Sequence, residues 1–340
     1  DYYKLLGCEK IYLVEEVPCE VCNSREFTGV CSHTDTGNNI LAPVPVKACN
    51  KCGFLMQNPR FPEEFYKRYY DEFYPYMRAK SSSNSKGDPN NVPGKRVVCE
   101  DGTPTEFGFE LTIKKAKYLY DYLQKSKIFI PLKKMLDVGC GAGGYLYYFA
   151  KKGFEVLGND PDNKVADFGI NKKLRIEKIN GESMNYKEKF GLIIIIGSLE
   201  HCLDPNKVLS KCWEMLVDNG LIILEGRYFP ISESFRWLNS NHHRFLTHNS
   251  SQAILIKHGF EIIKSTTDPV CGENTGRSGG GFVFARKKEN LDRYLNLEDL
   301  NVRKKFLENL EQKKLIKYPK DIIKFIQDHD KKFKITFVDI

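Results

Sequence analysis

Three sets of residues in this 340-residue chain have types and spacings suited to chemistry. The first is a glycine turn at residues 135–144, Met-Leu-Asp-Val-Gly-Cys-Gly-Ala-Gly-Gly. Apolar residues lead into Asp137 and then the glycines, as a buried parallel strand does on entering a tight turn that opens a helix. The second is a pair of Cys-x-x-Cys knuckles, Cys19-Glu-Val-Cys22 and Cys49-Asn-Lys-Cys52. Four thiolates complete the closed tetrahedral shell of a structural zinc, which has no position open to substrate and so serves folding. Cys31 and His33, between the knuckles, read as bystanders. The third is Ser198-Leu-Glu200-His201-Cys-Leu-Asp-Pro, which follows an almost continuous apolar run at 190–196. A titratable cluster at the C-terminal end of a central strand is where open α/β sheets place their chemistry.

Gly139, Gly141 and Gly144 satisfy the dinucleotide spacing G-x-G-x-x-G, so the turn alone is ambiguous. Asp137 separates the readings, because a carboxylate in the same pocket repels a pyrophosphate at the helix N-terminus. It attracts instead a ligand carrying an ammonium and a sulfonium, as S-adenosylmethionine does. The next strand, near 154–159, ends in Asp160, placed to accept hydrogen bonds from two ribose hydroxyls. Glu182 and Ser183, after a short third strand near 175–179, are in reach of an adenine ring.

The elements that must position these groups alternate strand and helix. A helix over 106–127 precedes the glycine turn, and helices are expected after it, at 206–216 and at 252–258. Strands at 221–225, 259–264 and 282–285 follow, the last two free to pair antiparallel. The fold class expected is α/β, a doubly wound, Rossmann-like, mixed seven-stranded sheet with a small N-terminal zinc-binding domain and a helical C-terminal tail. The expected divisions are a zinc-binding domain with a Tyr-rich helix at 1–80 and a linker or lid with a lead-in helix at 81–130. A cofactor-binding domain at 131–289 and a helical extension at 290–340 complete them. The rings of 65–76 read as core packing, with a stacking surface for a sugar or base as the alternative. An irregular segment at 226–249, carrying Tyr228, Trp237, His242, His243 and Arg244, reads as a cover over the substrate.

A net charge of +8 is a mild excess that permits an acidic partner without demanding one. The lysines are dispersed, which argues against nucleic acid. No apolar run approaches the roughly 18 residues that span a bilayer, and no signal-peptide pattern opens the chain, so a cytoplasmic protein is expected. Eleven cysteines then suggest thiols and metal ligation. The chain begins at Asp1, so a few residues are expected to precede it. The tail suggests amphipathic helices packed on the main domain or on a second subunit of a homo-oligomer.

Leu-Asp-Val-Gly-Cys-Gly-Ala-Gly-Gly, Gly-Asn-Asp-Pro-Asp, Ser-Leu-Glu-His-Cys-Leu-Asp-Pro and His-Arg-Phe-Leu-Thr before Lys-His-Gly-Phe-Glu occur in that order between about 132 and 287. Together they resemble a class I S-adenosylmethionine-dependent methyltransferase. The four-cysteine module followed by Asn-Pro-Arg resembles the zinc-binding domain fused to methyltransferases of bacterial sugar and surface-polysaccharide pathways, sugar C-methyltransferases among them. The resemblance implies that Asp137, Gly139, Cys140, Gly141 and Gly143 form the loop around the methionine end, that Asp160 holds the ribose, and that Glu182 or Ser183 approaches the adenine. It places Ser198, Glu200 and His201 beside the sulfonium and brings His243 from the covering segment. Where deoxysugar C-methyltransferases carry Glu-His, this chain has His242-His243, and oxygen methylation of a sugar-like hydroxyl is the first expectation.

For a hydroxyl acceptor the protein must align donor and acceptor, exclude water and remove a proton. Histidine suits the last task, and His201 and His243 are the candidates, with Glu200 as orienting partner. A structural role for either imidazole is the bland alternative. No Asp/His set of a divalent-metal-dependent methyltransferase stands out, so metal-independent chemistry is expected. An RNA base methyltransferase and a non-catalytic cofactor-binding domain are the other readings.

Overall fold

The computed structural model describes residues 14–31, 34–35, 41–42, 44–74, 96–227, 241–272 and 280–288. His33, the linker at 81–95, Tyr228, Trp237 and the 290–340 tail lie outside them.

The order is β1 (Phe27–Cys31), β2 (Thr34–Asp35), β3 (Leu41–Ala42), β4 (Val46–Cys49), β5 (Leu55–Gln57), α1 (Glu63–Arg68), α2 (Glu106–Lys125), β6 (Lys134–Val138), α3 (Gly144–Lys151) and β7 (Glu155–Asn159). There follow α4 (Asn163–Asn171), β8 (Ile176–Glu177), β9 (Phe190–Ile195), α5 (Pro205–Met215), β10 (Leu216–Arg227), β11 (Arg244–Phe245), α6 (His248–Lys257), β12 (Phe260–Thr266) and β13 (Gly280–Lys287).

Seven strands form one sheet in the order β12-β13-β10-β9-β6-β7-β8, with only β13 antiparallel to its neighbours. This is the expected mixed, Rossmann-like sheet. Its centre is β9, buried at every position, because helices cover both faces of a parallel sheet. Leu192 and Ile194 pack on one face with Leu119 and Leu123 of α2 and Phe149 of α3. Ile193 and Ile195 pack on the other with Leu209 and Cys212 of α5 and Ile254 of α6. Strand period two thus splits one apolar run between two cores.

Local chemistry sets the helix starts. Thr105 caps α2 by accepting from the Gly108 amide at 3.1 Å, and Asp204 caps α5, which has Pro205 at its first position. Thr247 and Ser250 form a reciprocal capping box that starts α6 at His248, earlier than the periodicity suggests. The Tyr-rich helix is also shorter than its pattern: α1 passes at Tyr69–Phe73 into a π-helical turn.

The second sheet has the order β1-β4-β5-β11. Its outer strand, Arg244–Phe245, comes from the segment read as irregular and pairs antiparallel with Met56 and Leu55. The knuckles therefore share a sheet with chain from beyond β10. Cys19, Cys49, Cys52, Phe54 and Met56 also join the core that contains Ile193 and Leu255.

Candidate active site and four-cysteine centre

At the C-terminal end of β6, the Gly139 and Cys140 amides both donate to the Asn159 carbonyl, at 3.0 and 2.9 Å, turning the chain across β7. Gly139 has φ +72°, and a Cβ there would lie 2.4 Å from the Ser198 Cβ. The turn and the end of β9 are thus in direct contact, with the Ser198 hydroxyl donating to the Val138 carbonyl. Gly141 is open, its nearest neighbour to an added Cβ being Val165 at 3.8 Å.

Two of the expected cofactor residues also pack the turn. The Cys140 side chain lies under the turn, in a small core with Leu146, Ala166 and Ile176. A Cβ on Gly143 would strike Leu174 at 2.6 Å, so this glycine serves packing between the turn and β8.

Asp137 is buried, and its Oδ2 has no hydrogen-bond partner among the described residues. Burial, and then the Asp160 carboxylate, raise its pKa well above the usual carboxylate range. An isolated buried carboxylate is costly unless a cation or donor meets it. Asp160 is differently employed: Oδ2 accepts from the Gly141 amide and Oδ1 from the Asp162 amide, each at 2.9 Å. It braces the glycine turn. Glu182 Oε1 accepts from the Asp204 amide at 3.1 Å, tying the loop after β8 to the start of α5. Ser183 is exposed beside it, its amide donating to Asn180 Oδ1 at 3.0 Å.

After β9 a single 3-10 turn, Leu199–His201, carries Glu200 and His201. His201 Nδ1 lies 2.9 Å from the Asn241 carbonyl and 3.1 Å from the Tyr70 hydroxyl. A carbonyl only accepts, so Nδ1 carries the proton and Nε2 is the basic nitrogen. Burial raises the pKa of Tyr70 far above the usual phenol value, so its hydroxyl stays protonated. The sequence reading treats Tyr70 as core; here it joins the site, aimed at it by the turn that follows α1.

Of the two covering histidines, His243 is the one expected beside His201. His242 meets His201, ring centroids 4.8 Å apart. His243 is buried edge-on to Tyr66 at 4.2 Å, neither ring nitrogen hydrogen-bonded among the described residues. Burial, and then Arg244, Arg60 and His201, hold its pKa well below the usual imidazole value. The fold also assembles a set that the sequence does not reveal: one ligand atom each from Glu200, His201 and His242 lies within 4.8 Å of the others. Two imidazoles and a carboxylate are donors for a divalent ion.

The four knuckle cysteines converge. Cys19 and Cys52 sulfurs are 3.5 Å apart, as are those of Cys22 and Cys49. A tetrahedral ion with metal–sulfur bonds of about 2.3 Å separates its ligands by about 3.8 Å, so the set fits a thiolate-bound ion. The knuckles match in backbone as well. Asn23 and Gly53 follow the second cysteine of each with φ +60° and +75°, and their amides return to the Cys19 and Cys49 carbonyls at 2.9 Å. The crowded thiols split: hydrogen bonds from Cys19, then Cys52, pull the Cys49 thiol far below its usual value, while bonds with Cys49 push Cys19 up and bonds with Cys19 push Cys52 up.

Residues 136–224, which run from the glycine turn through Glu200 and His201 to the end of β10, match the family described as a methyltransferase domain. This part of the chain carries a Rossmann-like sheet and is similar to a methyltransferase domain. It is 30% identical over 97 residues to a ubiquinone biosynthesis O-methyltransferase of Rhodopseudomonas palustris (strain BisA53), covering 27% of this chain and 38% of that protein. It is 29% identical over 116 residues to the enzyme of the same name from Histophilus somni (strain 2336), covering 30% and 48%. The chain thus spans less than half the length of these curated relatives. Among solved structures, the glycopeptide N-methyltransferase MtfA complexed with S-adenosyl-L-methionine is similar with TM-score 0.42 and 15% identity, over 50% of this chain and 93% of that one.

Proposed function

We propose that the chain is an S-adenosylmethionine-dependent methyltransferase acting on a hydroxyl of a sugar or nucleotide-sugar, with zinc at Cys19, Cys22, Cys49 and Cys52. The observation that carries the donor assignment is Asp137, a buried carboxylate with an unmet oxygen at a glycine turn. The residues fit the group: the carboxylate suits a cationic methionine end, and Gly141 leaves room beside it. Asp160, which follows β7 and adjoins the Gly141 turn, is the ribose acceptor, with Glu182 or Ser183 toward the adenine.

A bound S-adenosylmethionine would supply an electrophilic methyl with a neutral thioether as leaving group. His201 Nε2 takes the acceptor hydroxyl proton as the oxygen–carbon bond forms. The Asn241 carbonyl and Tyr70 hold the ring, while His242 and Glu200 border it. The chain's resemblance to proteins named O-methyltransferase supports a hydroxyl acceptor. The rings of Tyr70 and Tyr74, 5.2 Å apart beside His201, favour a sugar face against them. Zinc in the closed thiolate shell supports folding and takes no part in transfer.

The test is a screen of sugars and nucleotide-sugars with isotopically labelled donor, read by mass spectrometry. Gain of one methylene, located on oxygen, is expected; a methyl found on carbon moves the assignment to C-methylation. Strongly salt-dependent RNA binding with methylated base product would replace this reading by the RNA one.

A further inference from the structure

Glu20 lies inside the first knuckle, between Cys19 and Cys22, yet it is buried. Its carboxylate is gripped by Arg244, with Nε donating to Oε2 at 2.6 Å and Nη2 to Oε1 at 2.8 Å. Arg60 adds a third contact to Oε1 at 3.1 Å, and Lys257 Nζ donates to the Glu20 carbonyl at 2.7 Å. A zinc bound by four thiolates carries net negative charge, and this cationic surround neutralises it together with Glu20.

Arg244 reaches further than the knuckle. Nη1 donates to the Leu199 carbonyl and Nη2 to that of Leu203 at 3.4 Å, so one guanidinium holds both sides of the turn that bears Glu200 and His201. Main-chain bonds complete the junction: the His243 amide donates to the Glu200 carbonyl at 2.8 Å, and the Gln57 amide to the His243 carbonyl at 2.9 Å. Arg244 is also the residue next to His243, and β11 is the strand that the knuckle sheet captures.

We propose that the four-cysteine knuckle positions His201 and His242 of the acceptor site, and the buried His243 beside them, through Glu20 and Arg244, so that metal loading and the placement of these three histidines are one linked property. Glu20 and Arg244 are positioning residues, which touch neither donor nor acceptor. The catalytic meaning of the linkage rests on the function proposed above; the linkage itself does not. A planar fork is required because the guanidinium must satisfy a bidentate carboxylate and two carbonyls from one buried centre, which a lysine ammonium cannot do.

The experiment uses the full chain with 13C-labelled histidine, imidazole resonances assigned by single substitutions, metal content by elemental analysis and S-adenosylmethionine affinity by calorimetry. Glu20→Gln is expected to keep one metal per chain and donor affinity within twofold, while the His201, His242 and His243 resonances move. That of His248, hydrogen-bonded to the Thr266 carbonyl, is expected to stay. Arg244→Lys is expected to move the same three. Chelating the metal from the unsubstituted protein provides an arm without substitution, with the same selective response expected. Unmoved resonances in the metal-loaded Glu20→Gln protein overturn the linkage, as does equal movement of His248 on chelation. Failure to bind donor with the histidine pattern intact overturns the methyltransferase reading and leaves the linkage standing.

Discussion

Asp137 is the most exacting place to perturb this protein. Replacing it with Asn preserves shape and removes the charge. The carboxylate's expected bond to the cationic methionine end is charge-assisted, worth about 1.5–3 kcal/mol, or about 10- to 150-fold in affinity. With S-adenosylmethionine at 100 times the unsubstituted protein's Kd, binding stabilises that protein by about 2.7 kcal/mol, against about 0.9 kcal/mol for a variant weakened 30-fold. The pKa, raised in the folded state by burial and then by Asp160, fixes the sign of two further effects. Asp137 favours the ligand-free fold below its unfolded pKa of about 3.9, and that contribution is lost as pH rises through the folded pKa. Ligand-free Asp137→Asn is therefore expected to melt no lower than the unsubstituted protein at neutral and alkaline pH. Donor binding should release a proton from Asp137 wherever the free carboxyl is protonated, and none from the variant. Calorimetry in buffers of different ionisation enthalpy measures both affinity and proton release. Asp137→Asn binding within twofold of the parent would refute the reasoning.

Other expectations concern neighbouring groups. Gly139→Ala forces an L side chain to φ +72° and onto Ser198; a loss of about 2 kcal/mol or more in denaturant unfolding is expected from the left-handed backbone and the clash together. Ser198→Gly should recover part of it in the double variant. Burial, then Arg244, Arg60 and His201, keep His243 neutral, so its stabilising contribution is full above about pH 6.5 and falls as pH drops toward the folded pKa. The thermal midpoint should fall on acidification below that value, less steeply in His243→Gln. His201→Asn is expected to leave donor affinity unchanged by calorimetry and to lower turnover of the identified acceptor about 100-fold or more.

Much of the fold was legible because it follows from local pattern. The apolar run of β9 announces a strand buried on both faces, and Leu-Asp-Val-Gly-Cys-Gly announces the strand and turn that abut it. Thr105, Asp204 and Thr247 mark helix starts by capping chemistry alone. Sequence spacing says nothing of direction. Gly143 sits among the turn glycines yet packs on Leu174, and Cys140 turns into the core. Tyr70 looks like its neighbours in an aromatic run, and only the π-helical turn after α1 aims it at His201.

The pair His242-His243 shows the division most clearly. Residue types alone were enough to place an imidazole near Glu200 and His201, because few side chains exchange protons near neutral pH. Which histidine meets His201 was decided by main-chain contacts just before β11, where the His243 amide donates to the Glu200 carbonyl and its carbonyl accepts from the Gln57 amide. The Cys-x-x-Cys spacing likewise declares a four-thiolate centre, since ligand geometry is written locally. That Glu20 within it grips Arg244, 224 residues away, depends on two distant segments meeting in one buried place, and no local pattern encodes that meeting.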